Sequence, residues 1–118
     1  MKNYDKIYIN GQWVQPKGTQ SMDVINPATE EAVATIALGN AEDVDLAVAA
    51  ARNAFESYSQ TSREERIALL ERILGVFKKR MGEVAEAITA EMGAPDKLSQ
   101  MAQAPSGLGH FAAALHAL

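Results

Sequence analysis

The chain has 118 residues, with 15 acidic and 11 basic side chains and a formal net charge of −4. That length suits one domain rather than two, and the acidic balance argues against nucleic acid or an anionic membrane as a partner. Cysteine is absent, which removes disulfides, thiolate zinc sites and a cysteine nucleophile from these residues.

The opening stretch Met1-Lys2-Asn3-Tyr4-Asp5-Lys6 has neither the apolar core nor the small-residue cleavage site of a secretory signal. No apolar run approaches the roughly 20 residues that span a bilayer, so a cytoplasmic location is the default expectation. Residues 1–39 read as extended. Ile7-Tyr8-Ile9 and Trp13-Val14 flank Asn10-Gly11-Gln12, and an Asn-Gly pair tolerates positive φ at both central positions of a hairpin turn. Lys17-Gly18-Thr19 marks another turn. Met22-Asp23-Val24-Ile25 and Ala32-Val33-Ala34-Thr35-Ile36 form a second strand pair around Asn26-Pro27-Ala28-Thr29-Glu30-Glu31, where Pro presets φ and Asn can bond back to the backbone. Gly39 closes the region.

At Asn40 the period changes. Asn40 is placed to cap free helix amides, Asp43 follows three residues later, and Glu42 and Asp45 sit at the positive end of the helix dipole. Val44, Val48, Ala51, Phe55 and Tyr58 share one helical face. A second helix starts at Ser62, where Ser62-Arg63-Glu64-Glu65 has the form of a capping box. Its apolar stripe is Ile67, Leu70, Leu74, Phe77 and Met81, and Leu69, Ile73 and Val76 add a second row that predicts burial on more than one side. Lys78-Lys79-Arg80 followed by Gly82 predicts a helix end, with a short helix resuming over 83–92 and stopping at Gly93-Ala94-Pro95.

Helical spacing returns in Leu98, Met101, Pro105, Leu108, Ala112 and Leu115; Pro105 predicts a kink, and Gly107 and Gly109 weaken the helix further. The stripe runs to Leu118 without a capping residue, which reads as part of something longer. The expected fold class is mainly α with N-terminal β-hairpins. It divides into a hairpin region over 1–39 and a helical segment over 40–118, together an incomplete part of one larger domain.

The residues themselves offer little chemistry. Ser106 and His110 lie four apart on a helix, the spacing at which a nucleophile and its base would meet, but no acidic orienter or oxyanion hole accompanies them. His110 and His116 fall on different sides of a helix, and a metal site needs three or more converging ligands. Gly107-Leu108-Gly109 follows a helix, whereas a dinucleotide fingerprint follows a strand. Glu83, Glu86 and Glu91 read as a solvated face, Lys78-Lys79-Arg80 as a helix-end cluster, and Tyr8 with Trp13 as cross-strand packing rather than a ligand shelf.

The order of the pieces is nonetheless specific. Ile9-Asn10-Gly11-Gln12-Trp13-Val14, Val24-Ile25-Asn26-Pro27-Ala28-Thr29-Glu30-Glu31, Glu42-Asp43-Val44-Asp45-Leu46-Ala47-Val48-Ala49-Ala50-Ala51 and Ala54-Phe55 resemble the start of the aldehyde dehydrogenase superfamily. Arg63-Glu64-Glu65-Arg66 with Leu69-Leu70-Glu71-Arg72, and Glu91-Met92-Gly93-Ala94-Pro95, continue the match in register. The resemblance implies the first quarter of an enzyme that oxidises aldehydes to carboxylic acids with NAD or NADP. In such a parent, these residues are part of an α/β, Rossmann-like NAD-binding domain. A cysteine thiolate attacks the aldehyde, hydride passes to the nicotinamide, and a glutamate-activated water releases the acid.

All of those groups lie beyond residue 118 in the resemblance, so the chain alone is expected to be inactive, with no catalytic or cofactor-binding residue of its own and no NAD or NADP bound. The resemblance also implies part of a monovalent-cation site at the Val24 and Ile25 carbonyls and Glu91, in keeping with a hard cation's preference for oxygen; Glu91 reads equally as a helix-terminal acid. The expected partners are the parent's aldehyde, and for this chain either its own copies or the rest of an aldehyde dehydrogenase. The competing readings are a stand-alone helical interaction module that assembles with a full-length relative, and a small hydrolase built on Ser106 and His110.

Overall fold

A computed structural model describes residues 1–118. The chain resolves into two compact units, Met1–Gln60 and Thr61–Leu118, so the first long helix groups with the strands. The fold is mainly α with N-terminal β-hairpins, as the sequence predicts.

In the first unit, β2 (Ile7–Ile9) and β3 (Gln12–Val14) form a hairpin with Ile9 opposite Gln12. Its two-residue turn holds Asn10 at φ 52° and Gly11 at φ 76°, the positive-φ pair that matches the right-handed twist of the flanking strands. A separate three-stranded sheet has the order β1-β5-β4. Here β4 (Gln20–Asn26) and β5 (Glu31–Leu38) run antiparallel, and β1 (Lys2–Tyr4) pairs parallel to β5, Lys2 with Ala34. The β4–β5 turn works as the sequence predicts. The Asn26 side chain accepts the Ala28 amide at 2.9 Å, and its carbonyl accepts the Glu30 amide at 2.8 Å. The strand β1 lies where the sequence gives no strand signal; its three residues are exposed and are ordered by the free edge of β5.

Helix α1 (Ala41–Tyr58) begins in a full capping box: the Asn40 side chain accepts the Asp43 amide at 3.1 Å and Asp43 Oδ2 accepts the Asn40 amide at 2.9 Å. The Asp43 carboxylate reaches further than a cap requires. Its Oδ1 accepts the Lys17 amide at 2.8 Å and its Oδ2 the Gly18 amide at 3.0 Å, which ties the loop before β4 to the start of α1. Gly18 is required there by close approach: a Cβ would stand 2.2 Å from the Leu38 carbonyl oxygen. Beyond its first turn α1 has no packed face. Val44 is 60%, Val48 53% and Phe55 63% exposed.

The second unit is an antiparallel helical pair. Helix α2 (Arg63–Met92) starts in the predicted capping box, Ser62 Oγ accepting the Glu65 amide and Glu65 Oε2 the Ser62 amide. It then runs unbroken through Gly82, against the expectation of two helices. A helical glycine costs only about 1 kcal/mol. The turn across Gly82 is spanned by Arg80 and Glu83, 2.7 Å apart, and Ala85 is buried beyond it. The break falls instead at Gly93, whose φ of 68° ends the helix with its amide on the Thr89 carbonyl.

Helix α3 (Asp96–Leu98) leads into a π-helical turn, Ser99–Gln103, and then α4 (Ala104–Ala117). Phe111 meets Phe77 of α2 with ring centroids 5.8 Å apart, and a Cβ on Gly107 would come within 2.8 Å of the Phe77 ring. Two expectations change here. Pro105 is accommodated by a widened turn, in which the Ala104 amide reaches back five residues to the Ser99 carbonyl. That turn separates Pro105 from a carbonyl its ring would otherwise crowd. The inward line keeps only part of the predicted stripe: Pro105, Leu108 and Leu115 are half-buried, but Leu98, Met101 and Ala112 are exposed, and buried Ser99 and Ala104 with half-buried Phe111 take their places. The Leu69 row is likewise one-sided, with Leu69 half-buried and Ile73 and Val76 exposed. No helix is long and apolar enough to cross a membrane.

The Lys17 amide, opposed by desolvation and aided by the Asn40 and Gly18 amides and the Lys17 charge, holds the Asp43 carboxyl below the usual carboxylate range. A depressed folded pKa adds stability above the unfolded value, about 3.9, that is lost as pH falls through the folded one. Thermal midpoints of the wild type should therefore drop between about pH 4 and lower pH. Asp43→Asn should lie several degrees lower at pH 7 and show a flatter acid limb; equal acid slopes would refute the assignment. Gly18→Ala should cost ~1–3 kcal/mol by overpacking and, by unhooking the same two amides, be strongly non-additive with Asp43→Asn in a double-mutant cycle.

Candidate functional site

Val24 and Ile25 occupy β4 at an irregularity in its register. Val24 pairs with Ala34 and Ile25 with Ala32, so Val33 of β5 has no opposite residue. Glu91 is the second-last residue of α2 and its side chain is exposed. It stands where unpaired helix carbonyls add negative partial charge, a setting that favours a cation. The two strand residues belong to the first unit and Glu91 to the second. No three His, Asp or Glu side chains lie close enough to hold one metal ion.

The Ser106 hydroxyl donates to the Gln103 carbonyl of its own helix at 2.6 Å. Its proton is turned to backbone rather than toward a base, and both Ser106 and His110 are exposed on α4. His116 lies at the last turn of that helix. Gly107-Leu108-Gly109 sits inside α4 rather than in a strand-to-helix loop, and Gly107 serves close packing on Phe77. Tyr8 and Trp13 pair edge-on across the hairpin, centroids 5.3 Å apart, with both rings largely exposed. Among the charges, the Arg80 guanidinium lowers the Glu83 carboxyl and is raised in return, an exposed pair whose role is local to its helix.

Two polar contacts escape the sequence because each joins residues far apart in the chain. One is the Asp43 link to Lys17 and Gly18. The other is Ser99, wholly buried, with its hydroxyl 2.8 Å from that of Thr89. Four residues on, the Gln103 side-chain oxygen is buried without a hydrogen-bond partner. Neither contact brings together a nucleophile, a base and an oxyanion donor, the minimum for acyl chemistry. What the arrangement supplies is a set of shaped surfaces.

The aldehyde dehydrogenase family profile matches residues 13–118. The 3-succinoylsemialdehyde-pyridine dehydrogenase of a Pseudomonas species is 54% identical over 114 residues, covering 94% of this chain and 24% of that protein. Among solved structures, an aldehyde dehydrogenase from Bartonella henselae superposes with a TM-score of 0.92 at 42% identity, over 94% of this chain and 23% of that one. Aldehyde dehydrogenase C from Pseudomonas syringae, solved with NAD+ and octanal, gives 0.92 at 45% identity, over 95% and 23%. The chain thus spans about a quarter of the length of the relatives it matches. From the first turn of its hairpin to its last helix, its sequence and backbone follow one pattern: the chain belongs to the aldehyde dehydrogenase family.

Proposed function

We propose that these residues are the N-terminal portion of an NAD(P)-dependent enzyme that oxidises aldehydes to carboxylic acids, and that their part in it is to scaffold rather than to react. The observation that carries this reading is the match over nearly the whole chain to about a quarter of proteins whose relatives bind NAD+ and octanal. The absence of cysteine supports it, because no side chain here can form the thiohemiacetal. The partial cation site at the Val24 and Ile25 carbonyls and Glu91 belongs to the same proposal, completed by oxygens from elsewhere in the parent.

The exposed side chains of α1 give the scaffold its working surface. Val44, Val48 and Phe55 form an apolar line that water covers poorly, and in the parent the remaining three quarters cover it. The same face favours a second reading, a stand-alone module that binds an intact relative. Stable one-to-one complex formation with the complete P. syringae enzyme would select that reading; exclusion by the complete enzyme would select the first.

With NAD+ or NADP+ and octanal, the 118-residue chain should give no NAD(P)H above the protein-free rate, and sustained turnover by clean material would overturn the scaffold reading. Mixed with the P. syringae enzyme lacking its first quarter, it should restore NAD-dependent octanal oxidation that neither piece shows alone. In isolation it should self-associate: sedimentation velocity should show weight-average mass rising with concentration. Phe55→Glu with Val48→Lys should shift it to monomer, and a wild-type chain monomeric at every concentration would refute this.

A further inference from the structure

The helical stretch from Asp96 to Ala117 carries one residue more than its buried face needs. Counting from wholly buried Ser99 in α-helical steps, the inward positions would be Gln103, Ser106 and His110, two of them polar and exposed. Counting with the five-residue step of the π turn, they are Ala104, Leu108, Phe111 and Leu115, the residues observed to face inward. The turn therefore joins two registers. Downstream of it the apolar face packs on α2; upstream, Ser99 reaches Thr89.

The sequence also encodes a single-register alternative. Traced back from Leu108 by α-helical spacing, the same face continues through Met101 and Leu98, which are 77% and 47% exposed. In that register the turn is an ordinary α-helix, the two apolar side chains swing toward α2 by about 100°, and Ser99 leaves Thr89. Apolar burial favours this state. Two features oppose it: Pro105, whose ring would meet the Met101 carbonyl one α-turn back, and the buried Ser99–Thr89 hydroxyl pair. The segment that would have to turn starts without a side-chain cap, and its one wholly buried residue is Ser99.

We propose that Pro105 and the Ser99–Thr89 pair form a register lock, which holds residues 96–103 in the π-containing state against an α-helical state that buries Leu98 and Met101. The lock keeps those two side chains presented outward, and releasing it withdraws them. The α4 face, anchored by Phe111 and by Gly107 on Phe77, stays in place while the short upstream segment rotates.

The test is methionine oxidation by dilute hydrogen peroxide, read by peptide mapping, with Met92 at 61% exposure as the internal reference. In the wild type, Met101 should oxidise at least as fast as Met92. In Pro105→Ala with Ser99→Ala, Met101 should slow roughly tenfold while Met92 is unchanged, and the amide that the substitution creates at position 105 should be protected from exchange by the Met101 carbonyl. In a third chain, Pro105→Ala with Ala102 deleted, the extra residue is gone and both flanking registers fit one α-helix, so Met101 should stay reactive. Wild-type reactivity of Met101 in the folded double variant overturns the lock. So does protection of Met101 in the deletion chain. Loss of fold in the double variant, with Pro105→Ala alone folded and Met101 reactive, shows the second register is not stable and overturns it as well.

Discussion

The constraint behind most of this structure is a shortage of apolar burial. The only apolar residues that are buried rather than half-buried are the alanines at 34, 85, 94 and 104, and the other buried residues are Asp43 and Ser99. A buried Leu or Phe contributes roughly 1.5–3 kcal/mol, and none is fully buried here. Order therefore leans on backbone ladders and on side chains that bond backbone amides. Asp43 accepts three amides from two segments, Asn26 accepts three amides of its own turn, and Ser62 and Glu65 cap each other. Such fasteners fix local shape with little help from a core.

That division explains what could be read from the residues. The Ser62 capping box, the Asn40 cap, the Asn10-Gly11 turn, the Asn26 turn and the Gly93 stop were legible, because each is decided by neighbours within a few positions. The family motifs were legible for the same reason. The strand Lys2–Tyr4 was not, since its partner is about thirty residues away and nothing in Lys-Asn-Tyr asks for a strand. Gly82 misled because its propensity cost is smaller than that of ending a thirty-residue helix. The last helix misled more instructively: its spacing holds at Leu108 and Leu115, and the π turn at 99–103 shifts the inward face by one position upstream of them.

The candidate site divides along the same line. Residue types alone excluded thiolate chemistry, and spacing alone paired Ser106 with His110; the Ser106 bond to its own helix backbone is visible only in three dimensions. Val24, Ile25 and Glu91 were reached through resemblance to relatives rather than through any feature of charge or period. Family membership and the quarter-length match stand beside surfaces that are well formed locally yet exposed, as on α1.

The hairpin's aromatic pair has a spectroscopic corollary. Trp13 is the chain's one indole, largely in water, with Tyr8 edge-on beside it in the first unit. Its emission reports on the hairpin's environment, while helices α2 and α4 contain no tryptophan at all. Melting of that helical pair is followed by ellipticity, and a fluorescence trace from this protein describes only its first sixty residues.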